Sequence, residues 1–425
     1  MTGAPTHLLN ARLVDPSTGY DGPGAIRIVG DLIDDVVHGA SPDVEGLDCG
    51  GLVLAPGLVD IRVFVGEPGA RHRESFRSAG NAAAAGGVTT IVAQPDTDPV
   101  MDDPALVTFA LSRAREVTPL RVATMAALTK GLGGQALTEQ RFLLDAGAVA
   151  LTDGDRAIAD AKVLRTAMTY SRGTGALIVH HVQEPSLSRG ACATSGEFAS
   201  RRGLTAVPAI AERMMLERDM ALVENTGARY HADQITTASA LPVLMRAKAA
   251  GLDVTAATSI HHLTLNEFDI SDYRTFFKLT PPLRSEDDRL AIVEAVADGT
   301  IDMIVSSHLP QDEEAKRLPF EEAATGAVGL ETFLPACLRL VHEGQLSLLT
   351  LFERAARAPA RRLGLQGGSL GKGLAADLVL FDPDAPFVLD RETLRSRSKN
   401  TPFDRARLQG RVVGTWVAGN RIFGG

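Results

Sequence analysis

Groups able to bind a metal or carry charge gather at the ends of short apolar runs in this 425-residue chain. Asp153 follows the run 147–152, His180 and His181 lie in 176–182, His231, Asp233 and Gln234 in 229–235, and Ser307 and His308 just beyond 302–306. Imidazoles and carboxylates brought to one point are the donors a zinc ion takes, three of them from the protein where the metal is catalytic. Neighbouring residues of a strand face opposite ways, so only one of His180 and His181 can enter a shared site, and His181 is the one expected there. The stretch 52–69 is of another kind. It reads as a buried strand starting near Pro56, and strict alternation puts Asp60, Arg62 and Phe64 on one face with Ile61 and Val63 on the other. Arginine stays protonated and phenylalanine has no lone pair, so neither can ligate a cation. A buried guanidinium needs an acidic partner, and Asp153 is the expected one, with Phe64 packed beside it.

The elements that must position these groups alternate in type. Eight β-rich runs, at 57–64, 88–93, 120–126, 147–152, 176–182, 229–235, 253–258 and 302–306, are separated by helix-length segments such as 74–86, 104–117, 156–173, 208–227, 238–250 and 286–298. That count and spacing predict an α/β fold, a (β/α)8 TIM-type barrel whose chemistry sits at the C-terminal ends of its strands. Further helices are expected at 321–343 and 348–364. Short alternating strands at 7–13, 24–30 and 32–37, and more after residue 374, predict a small β-sandwich built from both termini. The expected division is 1–55 and 365–425 for the sandwich and 56–364 for the barrel.

Composition excludes several classes. A net charge of −9 argues against a nucleic-acid or anionic-membrane surface. No apolar run reaches the roughly 18 residues of a membrane span. Cys49, Cys192 and Cys337 are far apart and form no zinc ribbon or disulfide framework, which fits a cytoplasmic location.

Several passages resemble the dihydroorotase family or, for the last of them, the wider amidohydrolase superfamily to which it belongs. They are Pro56-Gly57-Leu58-Val59-Asp60, Glu67-Pro68-Gly69, Gln94-Pro95-Asp96-Thr97, Leu128-Thr129-Lys130-Gly131, Thr280-Pro281-Pro282-Leu283-Arg284, Gly329-Leu330-Glu331-Thr332, Lys399-Asn400-Thr401-Pro402-Phe403 and Gly373-Leu374-Ala375-Ala376-Asp377-Leu378-Val379. The resemblance implies hydrolysis of a cyclic amide by one or two zinc ions, with ligands from strands one, four, five, six and eight. Here Arg62 and Phe64 stand in place of two histidines, Gln234 in place of a third, and Ser307 in place of the aspartate that serves as ligand and base. His181 and Asp153 match the family and are the ligands if a metal is retained. Substrate positions differ too: Gly66 replaces a carboxylate-clamping arginine, and Asp96 and Thr280 replace asparagines.

Two readings follow from the resemblance. The first is a dihydroorotase-like protein of pyrimidine biosynthesis with no catalysis and no cofactor, a pseudoenzyme in a homo- or hetero-oligomer with aspartate carbamoyltransferase. The second is a working zinc amidohydrolase acting on dihydroorotate or an allantoin- or hydantoin-like ring. A rebuilt metal site from His181, His231, Asp233 and Asp153 would require strand six to shift by one residue. His231, His261 and His262 read as structural histidines. So does His308, which is also the candidate for a ligand contact at the rim. The segment 308–325 reads as a mobile loop over the rim, of the kind that closes on substrate in active relatives, and its charge fits solvation equally well.

Overall fold

The computed structural model describes residues 5–424. Eight parallel strands form the barrel: Leu58–Val63, Val88–Ala93, Arg121–Thr124 continued by Ala126–Ala127, Leu151–Thr152, Leu177–His180, Arg229–Ala232, Val254–Ser259 and Met303–Val305. All eight runs expected from the sequence are therefore strands. The third strand holds both neighbours, Met125 N–H donating to Ala93 at 2.9 Å and Ala126 N–H to Ala150 at 3.1 Å. The ring closes where Phe64 N–H donates to the His308 carbonyl at 2.9 Å, beside the Val63–His308 bridge.

Local chemistry sets the crossover helices. Ser75 and Ser78 form a capping box for Phe76–Ala85; Asp103 caps Pro104–Val117, with Pro104 in its first turn; Asp160 caps Ala161–Thr174. Gly175 and Gly227 end their helices in the left-handed conformation. The helix expected from 321 starts only at the turn Leu330–Thr332 leading into Phe333–His342. Gly326 has a φ of 119°, and a side chain there would strike Leu309, so the chain cannot coil through it.

Three apolar cores result. One packs helices onto the barrel and contains Phe76, Phe333 and Phe352, each fully buried and each contributing about 1.5–3 kcal/mol by leaving water. A smaller cluster, including Val59, Ile61, Val92, Val179, Ala257 and Val305, fills the lumen below the mouth. The terminal strands share one folded sheet in which Leu378–Val388 pairs antiparallel with Val53–Pro56, joining the two chain ends. Leu13, Ile26, Leu54, Leu378 and Trp416 pack inside it. Among the described residues no helix is long and apolar enough to cross a membrane.

Candidate functional site

The first barrel strand departs from simple alternation. Its register with the second runs Leu58↔Val88, Val59↔Thr90 and Asp60↔Ile91 and resumes at Val63↔Ala93, so one extra residue is accommodated between Asp60 and Val63. Such a bulge re-aims the side chains that follow it. Val59 and Ile61 belong to the lumen cluster, while Val63 joins the helix-side core. Arg62 and Phe64 both reach the mouth as expected. Asp60 does not share their face, and Ile61 does not share Val63's. Asp60 accepts from Ser306 N–H at 3.2 Å, from the Ser306 hydroxyl and from Arg62 N–H at 3.2 Å. Burial pushes its carboxyl up to about 6 despite these donors.

Arg62 is 6% exposed and makes ion pairs with Asp155 and Asp233. With its amide oxygen turned to the guanidinium, Gln234 accepts from Arg62 Nε at 2.8 Å and Nη2 at 3.1 Å. The expected partner was Asp153. Its carboxylate instead accepts from Leu128 N–H at 3.1 Å, Thr129 N–H at 2.8 Å and the Thr129 hydroxyl. Gly154, at a φ of 61°, turns the chain so that Asp155 enters the mouth in its place. The pair Asp153-Gly154-Asp155 carried that signal, because a left-handed glycine between two aspartates lets the second one turn inward. Asp233 had a signal too. The sixth strand ends at Ala232, and beyond a strand's end alternation no longer separates neighbours, so Asp233 and Gln234 both face Arg62. No register shift of strand six is needed.

His181 lies at the mouth with Asp155 and Asp233, and one donor atom from each lies within 4.8 Å of the others. Burial pushes the His181 imidazole down to about 4, and its Nδ1 has no hydrogen-bond partner. His180 points the other way, as anticipated: Nδ1 lies 2.6 Å from Asp219, and Nε2 accepts from Ile158 N–H at 2.9 Å. His231 contacts the Thr255 hydroxyl at 2.8 Å, and His262 is held between Ser259 and the Pro281 carbonyl, 2.8 and 3.0 Å away. His261 stacks on Phe403.

His308 lines the mouth with both ring nitrogens engaged. Its Nε2 is 3.2 Å from Glu74, and its Nδ1 accepts from Gly329 N–H at 3.2 Å, so both ring nitrogens serve the scaffold. Ser307 lines the mouth with a φ of 51°. The Thr280 carbonyl lies 3.5 Å from the Gln234 amide. Asp96 stands on the wall with Oδ1 unpartnered, its carboxyl pushed up to about 6 by burial and by Asp155. A side chain at position 66 would force the backbone to shift, since a Cβ there would lie 2.2 Å from the Ala70 carbonyl oxygen. Arg73 covers the entrance, its guanidinium 4.1 Å above the Phe64 ring and its Nε donating to Pro310 at 2.9 Å. The rim segment after His308 is packed down, with Lys316 buried and donating to the Thr275 carbonyl at 3.0 Å.

What remains between Arg62, Phe64, Asp96, Asp155, Ser307 and His308 is a cavity of about 20 Å³. A single water needs roughly 10–15 Å³ and small-molecule pockets run to about 300–1,000 Å³. A larger hollow of about 650 Å³, beside Arg339, Phe387 and Leu408, lies on the outer surface far from these groups.

The sequence profile of the dihydro-orotase-like family matches residues 51–240, and that of an amidohydrolase family matches 323–423. The dihydroorotase of Wolbachia sp. subsp. Drosophila simulans is 38% identical over 418 residues, 97% of this chain and 94% of its own length. That of Desulforapulum autotrophicum is 39% identical, covering 94% of this chain and 96% of its own. Among solved structures, L-hydantoinase (dihydropyrimidinase) from Arthrobacter aurescens superposes with a TM-score of 0.89 at 26% identity, over 99% of this chain and 96% of that one. The dihydropyrimidinase from Brevibacillus agri, at 21% identity and a TM-score of 0.84 over 99% and 95%, shares the fold. Members of these amidohydrolase families usually bind zinc. With relatives this similar over nearly its whole length, the chain belongs to the dihydroorotase-like family of amidohydrolases.

Proposed function

We propose that this dihydroorotase-like protein of pyrimidine biosynthesis does not hydrolyse a cyclic amide and serves as a structural partner of aspartate carbamoyltransferase. One observation carries the first half: the Arg62 guanidinium, locked to Asp155 and Asp233, fills the barrel mouth and leaves about 20 Å³. The zinc of the family does not fit the residues present. Asp153 is turned to the backbone at 128–129, Phe64 and Arg62 offer no lone pair, and the carboxylates beside His181 already neutralise a cation. No serine or glutamine at the rim replaces the missing base, and Gly66 leaves an anionic substrate without a clamp.

The second half rests on the family resemblance, with a large intact fold around the filled mouth. The three cysteines are buried and unpaired, which supports a reducing cytoplasm as the place of work. An active zinc-dependent hydrolase of dihydroorotate or a hydantoin-like ring draws support from the grouping of Asp155, His181 and Asp233 and from the relatives named dihydroorotase and L-hydantoinase. Incubating the purified chain with dihydroorotate and added zinc decides between them. No turnover above buffer is expected, and turnover at ordinary enzymatic rates rejects the proposal. Co-expression with the carbamoyltransferase is expected to give one co-migrating complex on size exclusion, whereas separate peaks would remove the partner.

A further inference from the structure

Asp155, His181 and Asp233 come from the ends of three barrel strands, and none of the three donors needs to move far to meet the others. Two of them stand at positions that the family's ligands do not occupy: Asp155 lies two residues past the family aspartate, and Asp233 precedes Gln234. The site already holds a cation, because the Arg62 guanidinium is paired with both carboxylates. His181 is 4% exposed and its Nδ1 has no hydrogen-bond partner, and Asp96 Oδ1 on the same wall has none either. A buried donor without a partner beside two carboxylates is the residue pattern of a metal site that lacks only room.

From this we propose that Asp155, His181 and Asp233 form a divalent-cation site that Arg62 keeps closed, so that guanidinium and metal exclude one another. Three protein donors, one imidazole and two carboxylates, match what a zinc or cobalt ion takes while keeping a fourth position for water. The inference rests on the reading of Arg62 as the resident cation of the mouth.

The test uses the full chain as wild type, Arg62→Ala and Arg62→Gln, the glutamine being a neutral replacement that still hydrogen-bonds to the carboxylates. Each is dialysed against cobalt, and uptake is read by elemental analysis and by the visible absorption of the bound ion. Wild type is expected to take none, and either variant one ion per chain, with a melting temperature that rises on metal addition. Adding Asp233→Asn to the variant is expected to weaken binding at least tenfold. Wild type free of metal together with soluble variants that also take none would overturn this inference and leave the proposed function standing. Metal bound by wild type would overturn both.

Discussion

Asp219 and Asp233 are both buried carboxylates flanking the sixth barrel strand, yet one network is closed and the other is not. Behind the barrel, Asp219 accepts from the Tyr230 hydroxyl at 2.6 Å and from Arg218 at 2.7 and 2.9 Å, and sits 2.6 Å from His180 Nδ1. Burial alone would raise its carboxyl, but His180, Arg218 and Tyr230 hold it below the usual range. At the mouth, Asp233 shares one guanidinium with Asp155 and Gln234, while His181 Nδ1 and Asp96 Oδ1 stay unpartnered. A scaffold network satisfies all its members because nothing else ever binds there. Unpaired groups at the mouth are what remains when a ligand-binding centre is filled by a side chain.

Removing one member from each network should separate the two most sharply. Asp219→Ala leaves an arginine, a histidine and a tyrosine hydroxyl without their acceptor, and should cost about 3–5 kcal/mol in denaturant unfolding, with no response to zinc. Arg62→Ala leaves two carboxylates unpaired, one of them 28% exposed, and should cost about 2–4 kcal/mol, part of which zinc restores. Equal losses with no zinc response in either would erase the distinction.

Acid should then act mainly through the buried imidazoles. His181 is pushed down to about 4 and His231, His261 and His262 to about 3, all by burial first, so the unfolded chain binds protons that the folded chain refuses. Their contribution is fully present above the unfolded value of about 6.5 and is lost as pH falls toward 3–4. Asp60 and Asp96, raised to about 6, act in the opposite sense, as do Asp153, Glu212, Glu267 and Glu331, also raised by burial, but the histidines together with the carboxyls held low, Asp48, Glu74, Asp219, Glu286 and Glu321, outnumber them. Stability followed by denaturant midpoint should fall between pH 6.5 and 4, and a flat profile would contradict these assignments. The smallest effect belongs to the exposed Arg201–Glu197 pair, where Glu197→Ala should shift stability by no more than about 0.5 kcal/mol.

Much of this was legible in the residues. Eight apolar runs at barrel spacing are strands, because a strand buried on both faces writes a continuous apolar run, and Arg62, Phe64, Gln234 and Ser307 all come to the mouth. Three local events escaped a reading by period, although two of them left a signal, Gly154 between two aspartates and the strand end before Asp233. The bulge at Asp60–Val63 adds a residue without changing composition, Gly154 turns Asp155 inward past Asp153, and the strand end at Ala232 frees Asp233 from alternation. Each is a departure from a regular period, and periodicity was the signal used to assign faces. His308, read as structural and also as a rim contact, has both ring nitrogens engaged by Glu74 and Gly329, partners distant in sequence.

The zinc content of the wild-type chain, purified from zinc-supplemented cells without chelator and measured by elemental analysis, bears on all of this at once. With Arg62 seated between Asp155 and Asp233, zinc should not rise above the buffer background. One or more ions per chain would mean that the guanidinium does not hold the mouth.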